Sequence, residues 1–332
     1  MLIAAIAIVI GLVGLFWGAD KFVDGAAATA YSLGVSPLIV GLTIVALGTS
    51  SPEMLVALFA ALDGASSIAI GNVIGSNIAN IGLVVGGTAL IAPLTVHPDT
   101  LRRDYPLLLV ITLLAAALML DGELEWMDGL ILLAGLILSL TWMLWLGVKE
   151  SLRLSERAQV DEDPTANYPA EISVPKALLS LLIGFVILVA CSRLLVWGAV
   201  QFAELLGISQ LVIGLTIVAI GTSLPELAAS IAGVLKDQHD ITIGNIVGSN
   251  LFNLLAVLCI PGLVAPTQIE KIVLLRDLPI MGAFTLLLWI VIRRKNNLSM
   301  NINRWGGGIL MLCFSLYIIW LVMVAHVTPH LV

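Results

Sequence analysis

The stretch "GLTIVALGTSSPEMLVAL", residues 41–58, places one carboxylate, Glu53, inside otherwise uncharged and largely apolar sequence. It returns as "GLTIVAIGTSLPELAASI" at residues 214–231, where 11 of 18 positions are identical and Glu226 takes the place of Glu53. A carboxylate at membrane depth costs on the order of 3 kcal/mol on the insertion scale. Its recurrence in the same context therefore indicates a function.

A second pair of segments repeats at the same distance. "IAIGNVIGSNIANIGL" (68–83) aligns with "ITIGNIVGSNLFNLLA" (241–256), with 8 of 16 positions identical. Both alignments use a shift of 173 residues, without a gap. The identities include Gly, Thr, Ser, Pro, Glu and Asn, which chance similarity between apolar helices does not explain. The two halves of the chain are therefore predicted to be copies of one unit.

The composition indicates an integral membrane protein. Of the 332 residues, 60% are hydrophobic and 11% are charged, and the mean hydropathy is +1.09. A soluble globular domain is about 45–50% apolar and about 25% charged. The net charge of −7 gives no indication of a nucleic-acid partner. These values exclude a water-soluble protein and make the lipid bilayer the main surrounding.

Ten apolar runs predict an all-α protein with ten transmembrane helices. They cover residues 2–18, 36–61, 68–92, 105–120, 127–147, 177–196, 209–235, 241–264, 277–292 and 306–325. The polar segment 148–176 separates a first five-helix repeat, 1–147, from a second, 177–332. Because five is odd, the second repeat crosses the membrane upside down, the inverted arrangement of secondary transporters.

The distribution of Lys and Arg predicts the orientation. With the N-terminus outside, twelve of these residues fall in cytoplasmic segments and three on the opposite side. Positive residues favour the cytoplasmic side of a membrane. We therefore expect a multi-pass protein of the cell (inner) membrane, with both termini outside and the linker 148–176 in the cytoplasm.

The candidate site is built around the repeated carboxylates, Glu53 and Glu226. Hydroxyl residues stand three and four positions before each carboxylate, on one face of a continuous helix. Prolines directly before the carboxylates remove backbone donors and free carbonyls one turn earlier. The companion segments add a Ser and an Asn four residues apart. The hydroxyl and carbonyl candidates are Thr49, Ser50, Thr222, Ser223, Ala46 and Ala219, and the companions are Ser76, Asn80, Ser249 and Asn253.

This inventory offers only oxygen ligands. Oxygen-only sites suit hard cations such as calcium and sodium, whereas zinc or copper would call for sulfur or imidazole. Two buried carboxylates are costly to seal from water without compensating positive charge. The site is therefore expected to move between the two sides of the membrane only when loaded, which predicts ion exchange without leak.

These motifs resemble those of the sodium/calcium exchangers of the cation/calcium antiporter superfamily, and the chain looks most like their prokaryotic ten-helix members. The resemblance lies in the two "GTSxPE" and two "GNxxGSNxxN" segments. It implies that all twelve candidate positions bind ions and that Glu53, Glu226, Thr49 and Thr222 ligate calcium. It also implies that the first and sixth helices slide across the core. No resident cofactor, no enzymatic activity and a monomeric chain are the corresponding expectations.

Two departures from relatives bear on coupling. Potassium-dependent exchangers of the superfamily have Asp at the position of Asn253, so Asn argues against potassium co-transport. Proton/calcium exchangers carry an acidic residue directly after "GN", where this chain has Val73 and Ile246. Proton/calcium exchange stays an alternative, and a cation channel is a third reading of the same oxygen ligands. Helix packing alone is the structural alternative for the Ser and Asn companions.

Overall fold

The computed structural model describes residues 2–33, 35–64, 66–98, 100–160, 173–205, 219–294 and 300–327, and this part of the chain is almost entirely helical. The α-helices are α1 (Leu2–Leu33), α2 (Pro37–Val40), α3 (Ala46–Thr49), α4 (Ser51–Leu62), α5 (Ser66–Ala79), α6 (Gly86–Ile91), α7 (Tyr105–Met119), α8 (Trp126–Val160), α9 (Val174–Leu205), α10 (Ala219–Thr222), α11 (Leu224–Leu235), α12 (His239–Phe252), α13 (Cys259–Val264), α14 (Leu278–Val291) and α15 (Arg304–Val327).

Short π-helical turns and strands connect these helices. The π-helical turns are Gly41–Val45, Asn80–Val85, Thr100–Asp104, Asn253–Val257 and Val273–Asp277. The strands are β1 (Leu94–Val96), β2 (Glu123–Leu124), β3 (Thr267–Gln268), β4 (Arg293–Arg294) and β5 (Met300–Ile302).

The helices form membrane spans in the predicted order. Among the residues that the structure describes, seven helical segments are long and apolar enough to cross a bilayer, and the bent pair Pro37–Thr49 and Ser51–Leu62 is an eighth candidate. The shorter apolar helices α7 and α11 occupy the positions of the two other predicted spans. The chain is an all-α membrane protein.

The internal duplication is visible in the helix boundaries. A shift of 173 residues carries the bounds of α4, α5 and α6 onto those of α11, α12 and α13. The π-helical turn that begins at Asn80 likewise has its counterpart at Asn253. Equivalent sequences therefore fold into equivalent elements, down to the position of the helix irregularities.

The small sheets agree with inversion of the second repeat. β1 pairs with β5, which also pairs with β4, whereas β2 pairs with β3. Strands β1 and β3 are counterparts under the shift of 173 residues, yet they belong to different sheets. With ten crossings, the connections that carry β1, β4 and β5 lie on one face of the membrane and those that carry β2 and β3 on the other. The counterparts thus lie on opposite faces.

Among the described residues, the most extensive contact between two helices joins the equivalent helices α1 and α9. They run antiparallel, because Gly11 lies against Leu195 whereas Gly25 lies against Leu181. A Cβ at Gly25 would collide with the backbone of Leu181, so glycine is required for this close approach. The pair packs along its whole length beside the other helices.

The predicted bounds of α1, α8 and α9 are wrong, and α9 continues to Leu205 instead of ending near residue 196. α1 continues to Leu33 instead of ending near residue 18, because no proline interrupts it and its acidic residues Asp20 and Asp24 pair with Lys236. α8 continues to Val160 and α9 begins at Val174, so helix occupies much of the predicted linker. Good helix formers such as Leu, Glu and Arg allow α8 to extend past its apolar part. Residues 161–172 and 206–218 lie outside the described part.

Candidate ion-binding site

Each repeat contains a helix that breaks at its "GTSxPE" motif. Ser50, with φ −83° and ψ 2°, separates α3 from α4, and Ser223, with φ −89° and ψ 3°, separates α10 from α11. These angles lie in the sparsely populated bridge region. Pro52 and Pro225 lack the N–H that would continue the helical hydrogen bonds, which accounts for a break at the same place in both repeats.

The break corrects the expectation of one continuous helical face. The axis turns by 43° between the two parts of the first broken helix. At the bend, α3 presents the negative, carbonyl end of its backbone, while α4 presents its positive amide end. A cation and a carboxylate can therefore be held at the same place by opposite ends of two half-helices.

The two repeated carboxylates meet in the interior. Glu53 and Glu226 are each 1% exposed and lie in the first turns of α4 and α11. Their carboxylates are close enough to repel each other electrostatically. A helix N-terminus stabilises one nearby negative charge. Two buried like charges additionally require positive charge between them.

The companion residues line the same interior on the helices that follow. Asn80 and Asn253 are the first residues of two equivalent π-helical turns, and each is 1% exposed. Such turns inside α-helices occur frequently at functional sites. Ser76 and Ser249 lie one turn earlier and are buried as well.

Many polar atoms of these residues have no hydrogen-bond partner. Among the described residues, most buried side-chain nitrogen and oxygen atoms without a partner belong to predicted ligands: Ser50 Oγ, Glu53 Oε2, both amide atoms of Asn80, Ser223 Oγ, both carboxylate oxygens of Glu226, and both amide atoms of Asn253. An unsatisfied buried polar group costs about 1–3 kcal/mol. Such a cluster is expected where the atoms bind a ligand.

Hydroxyls of the first repeat reach toward the second. α3, which carries Thr49, contacts α11, which carries Glu226. Neither oxygen of the Glu226 carboxylate has a hydrogen-bond partner among the described residues. The Thr49 hydroxyl also lies 3.3 Å from Ser249 Oγ. Residues from both halves of the chain therefore contribute to one site.

Asn245 belongs to this network but was not among the sequence candidates. The Thr49 hydroxyl donates a hydrogen bond of 2.9 Å to Asn245 Oδ1. The Asn245 amide in turn donates to Ser230 Oγ at 3.4 Å. The available sequence signal was the repeated "GN", which places Asn72 and Asn245 at equivalent positions.

The expected free carbonyls are only partly found. The Ala46 carbonyl accepts the N–H of Ser50 at 3.0 Å. The carbonyl of Gly221, four residues before Pro225, accepts the Ser192 hydroxyl at 3.1 Å. Carbonyls near the prolines therefore accept hydrogen bonds from other groups of the chain. A carbonyl has two lone pairs, so Ala46 keeps one for a cation. Ala219 begins the described part of α10.

The other polar residues and the glycines of the repeated motifs differ in burial and in their contacts. Thr222 is only partly buried and takes part in a polar or electrostatic interaction. Asn77 and Asn250 donate to carbonyls of their own helices at 2.9 Å, in line with a supporting role. The glycines of "GNxxGSN" pack closely in α12, where Gly244 lies against Leu38 and Gly248 against Leu42. In the first repeat, no neighbouring element of the described part comes within 4 Å of a Cβ placed at Gly71 or Gly75.

The donor set fits a hard cation. Within the described ranges, no group of three His, Cys, Asp or Glu side chains could hold a metal ion. The interior instead gathers two carboxylates, hydroxyls, amide oxygens and the negative end of a half-helix. Calcium takes about six to eight oxygens, and sodium is a hard ion of similar preference.

Comparison with known proteins decides the family. The sequence model of the sodium/calcium exchanger protein family matches residues 3–145 and 176–323, nearly all of both halves. The chain belongs to the sodium/calcium exchanger family. As a member, it is a cation/calcium antiporter of the membrane and not an enzyme. The two matched ranges coincide with the two repeats.

Individual relatives in this family cover the whole chain. The chain is 44% identical to the "Putative antiporter CaxA" of Alkalimonas amylolytica over 96% of its length and 98% of that protein. It is 37% identical to the "Inner membrane protein YrbG" of Escherichia coli over 100% of both chains.

The fold of the family also has a solved representative. The structure of the sodium/calcium exchanger from Methanococcus jannaschii superposes with a TM-score of 0.79 at 31% identity, and covers 96% of this chain and 98% of its own. This similarity confirms the ten-helix fold with its two repeats.

Proposed function

We propose that this protein exchanges sodium for calcium across the inner membrane by alternating access, with both ions binding between the two repeats. The observation that carries the proposal is the pairing of Glu53 and Glu226 in a buried cluster of oxygens without hydrogen-bond partners. The proposed ligands are these carboxylates with Thr49, Ser50, Thr222, Ser223, Ser76, Asn80, Ser249, Asn253 and the carbonyls of Ala46 and Ala219. Calcium itself would take Glu53, Glu226, Thr49 and Thr222.

Charge balance explains why such a site exchanges ions. One calcium ion neutralises two carboxylates, and so do two sodium ions. Without positive charge, the like charges of Glu53 and Glu226 oppose closure of the site against water. The site without a bound ion therefore does not change its access from one side of the membrane to the other. The transport of calcium in one direction then depends on the transport of sodium in the other.

Sodium is favoured over protons as the counter-ion. The solved relative named a sodium/calcium exchanger shares the fold over almost its whole length. The positions after "GN" are Val73 and Ile246, which offer no carboxylate to carry a proton. Proton/calcium exchange is the second candidate, because two buried carboxylates can also be neutralised by protonation.

The decisive experiment measures calcium flux into vesicles that contain the purified protein. An outward sodium gradient is expected to drive calcium uptake, and a pH gradient of equal size is expected to drive much less. Uptake that follows only the pH gradient would replace sodium by protons in the proposal. Uptake with neither counter-ion, together with unitary currents, would point to a channel.

The site assignment is tested by Glu53→Gln and Glu226→Gln. Each change keeps the size of the side chain and removes one charge, and we expect sodium-driven calcium uptake to fall at least about 100-fold. Glu123→Gln alters an exposed glutamate in β2 and serves as the matched control. Uptake by either buried-site variant at the level of this control would remove that carboxylate from the site.

The proposed orientation has both termini outside and the connection between α8 and α9 in the cytoplasm. It is supported by the distribution of Lys and Arg. The contacts are compatible with it, since Lys236 joins α1 on the side predicted to be cytoplasmic. A reporter fused to the C-terminus, active only outside the cytoplasm, is expected to be active. An inactive reporter beside an active fusion in the α8–α9 connection would reverse the orientation.

A further inference from the structure

We propose that Asn245 is a positioning residue that fixes the direction of the Thr49 hydroxyl and so prepares two oxygens of the first repeat for a cation. The inference rests on the proposed function, in which Thr49 and the Ala46 carbonyl are ligands. Asn245 lies on α12 of the second repeat and is 1% exposed. Its role is to act through Thr49 and not to touch the ion.

The Thr49 hydroxyl has two possible acceptors for its single hydrogen, Asn245 Oδ1 and the Ala46 carbonyl. Thr49 Oγ1 lies 2.9 Å from Asn245 Oδ1 and 3.4 Å from the Ala46 carbonyl. A Thr hydroxyl has one hydrogen and two lone pairs. The shorter contact has the favourable hydrogen-bond distance, so the hydrogen goes to Asn245. The Ser249 hydroxyl, 3.3 Å away, can donate to one lone pair of Thr49, and the other is left for the interior of the site.

The hydrogen bond from Thr49 to Asn245 also leaves the Ala46 carbonyl without a bond from the Thr49 hydroxyl. A Thr inside a helix ordinarily donates to a carbonyl of the preceding turn of its own helix. Here that carbonyl is Ala46, which already accepts the N–H of Ser50 at 3.0 Å. Because Asn245 takes the Thr49 hydrogen, the second lone pair of Ala46 stays unoccupied. Loss of Asn245 would turn the hydroxyl back to Ala46 and weaken two ligands together.

The Asn245 amide also has a partner at its other end. Its Nδ2 donates to Ser230 Oγ at 3.4 Å, with Oδ1 toward Thr49. If the amide turned over, Nδ2 would donate to Thr49 and direct the hydroxyl hydrogen into the cation site. Ser230 is 0% exposed, so water does not compete for this bond.

The two repeats differ at this point. The equivalents of Asn245 and Ser230 are Asn72 and Ala57, and the alanine has no group that can accept from the amide. Nδ2 of Asn72 is accordingly buried without a partner. The orienting chain from Ser230 to Thr49 is thus a property of one half of the duplicated site.

The test is a double-mutant cycle between Asn245→Leu and Thr49→Val, two changes that preserve side-chain size. We expect Asn245→Leu alone to raise the calcium concentration for half-maximal exchange about 5- to 10-fold, with a smaller change in maximal rate. With Thr49→Val already present, the same change is expected to add less than about 2-fold. Ser230→Ala should shift the calcium dependence in the same direction, but less.

The control is Asn250→Leu on the same helix. Asn250 is equally buried, and its amide donates to the carbonyl of Ile246 in its own helix at 2.9 Å. An equal loss from this control, or an equal effect of Asn245→Leu with and without Thr49→Val, would overturn the positioning role. Calcium-dependent thermal stabilisation of the purified variants reports binding without transport. It therefore separates failure of this inference from failure of sodium coupling.

Discussion

Individual residues show how a duplicated sequence makes one site. Glu53 and Glu226 were identifiable because a carboxylate in apolar sequence is expensive and occurred twice in the same context. Their neighbours Ser50 and Ser223 were also found, but for a different geometric reason than expected. They sit at helix breaks, where bridge-region backbone turns the chain. The sequence therefore predicted which residues belong to the site, but it did not predict the bend of the backbone at Ser50 and Ser223.

The charge at position 253 is expected to set which cations the site requires. Both atoms of the Asn253 amide are buried without partners among the described residues, one turn from Ser249. Asn253→Asp adds a third negative charge to a site that one calcium ion neutralises. We therefore expect the variant to require an additional monovalent cation, measured as calcium uptake that becomes dependent on potassium or on higher sodium.

The matched variant is Asn80→Asp, which makes the equivalent change in the first repeat. It should alter the cation dependence in the same direction, because the two positions are related by the inverted repeat. An unchanged ion profile for Asn253→Asp would remove this position from the ligand set.

At the scale of elements, the broken helices create the site. α3 and α4 meet at 43°, and proline supplies the missing donor that permits the bend. The π-helical turns after α5 and α12 each place an asparagine at an irregular point of a companion helix, while the span continues through the turn. The apolar runs in the sequence predicted uninterrupted helices for these segments. The interruptions depend on proline and on tertiary contacts that replace helical bonds.

Pro52→Ala tests the role of the break. Alanine restores an N–H for the Gly48 carbonyl and favours a straighter helix. We expect thermal stability to be maintained, while the calcium concentration for half-maximal exchange rises roughly 10-fold, equivalent to about 1.4 kcal/mol. The measurements are thermal unfolding in detergent and calcium uptake in vesicles.

Pro37→Ala is the control for this change. Pro37 is the first residue of α2, a position where the missing N–H leaves no helical bond unmade. Calcium affinity should stay unchanged in this variant. Equal behaviour of the two proline variants would show that the bend does not depend on Pro52.

An ion-pair cluster fastens α1 to α11 in the conformation observed. Lys236 Nζ lies 2.6 Å from carboxylate oxygens of both Asp20 and Asp24. Partial burial by itself lowers the pKa of Lys236, but the hydrogen bonds to Asp20 and Asp24 outweigh this, and the pKa lies above its usual value. A raised pKa means that the contribution to stability is complete below the ordinary lysine range. It is lost only as pH rises through the raised value, so the cluster persists at neutral pH.

Lys236→Gln is expected to loosen this contact. Exposed ion pairs contribute about 0.2–1 kcal/mol each, so loss of the two pairs should raise the population of the opened state by about 2- to 30-fold. Hydrogen–deuterium exchange at the end of α11 measures this opening. Lys21→Gln, which changes a neighbouring cation with no ion pair among the described residues, is the control. Equal exchange rates in both variants would contradict a fastening role.

The whole molecule is asymmetric although its sequence is duplicated. α1 packs against α11, where Ala228 is 2% and Ala232 is 9% exposed. Their equivalents on α4, Leu55 and Phe59, are 43% and 59% exposed. Within the described residues, α9 and α4 make no comparable contact. Inverted repeats exchange conformations when a transporter changes its access. The α9–α4 contact is therefore expected to form in the opposite state.

Charges at the equivalent positions support this exchange of conformations. The counterparts of Lys236 and Asp20 under the shift of 173 residues are Asp63 and Arg193, an opposite pair with reversed signs. Both are exposed, and no ion pair joins them in the described structure. We expect Asp63 and Arg193 to pair when the Lys236 cluster has separated.

A double-mutant cycle of Asp63→Asn and Arg193→Gln checks this pairing. If the two residues pair in the opposite state, their effects on exchange rate should be non-additive, with a coupling of about 0.2–1 kcal/mol. Additive effects would mean that the two charges never meet. The coupling should also disappear in hydrogen exchange of the conformation described here, because the pair is absent from it.

The sequence by itself determined the membrane setting, the ten helices, their inverted duplication and the two carboxylates, because apolar length and a repeated costly charge are readable along one chain. Tertiary structure alone decided the cross-repeat bond from Thr49 to Asn245 and the extension of α1 to its ion pairs. It also decided the contact of α1 with α11, to which the described residues of α9 and α4 have no comparable counterpart. Those features arise between segments some two hundred residues apart or between two alternative packings. A duplicated sequence specifies both packings about equally and cannot indicate which one is observed.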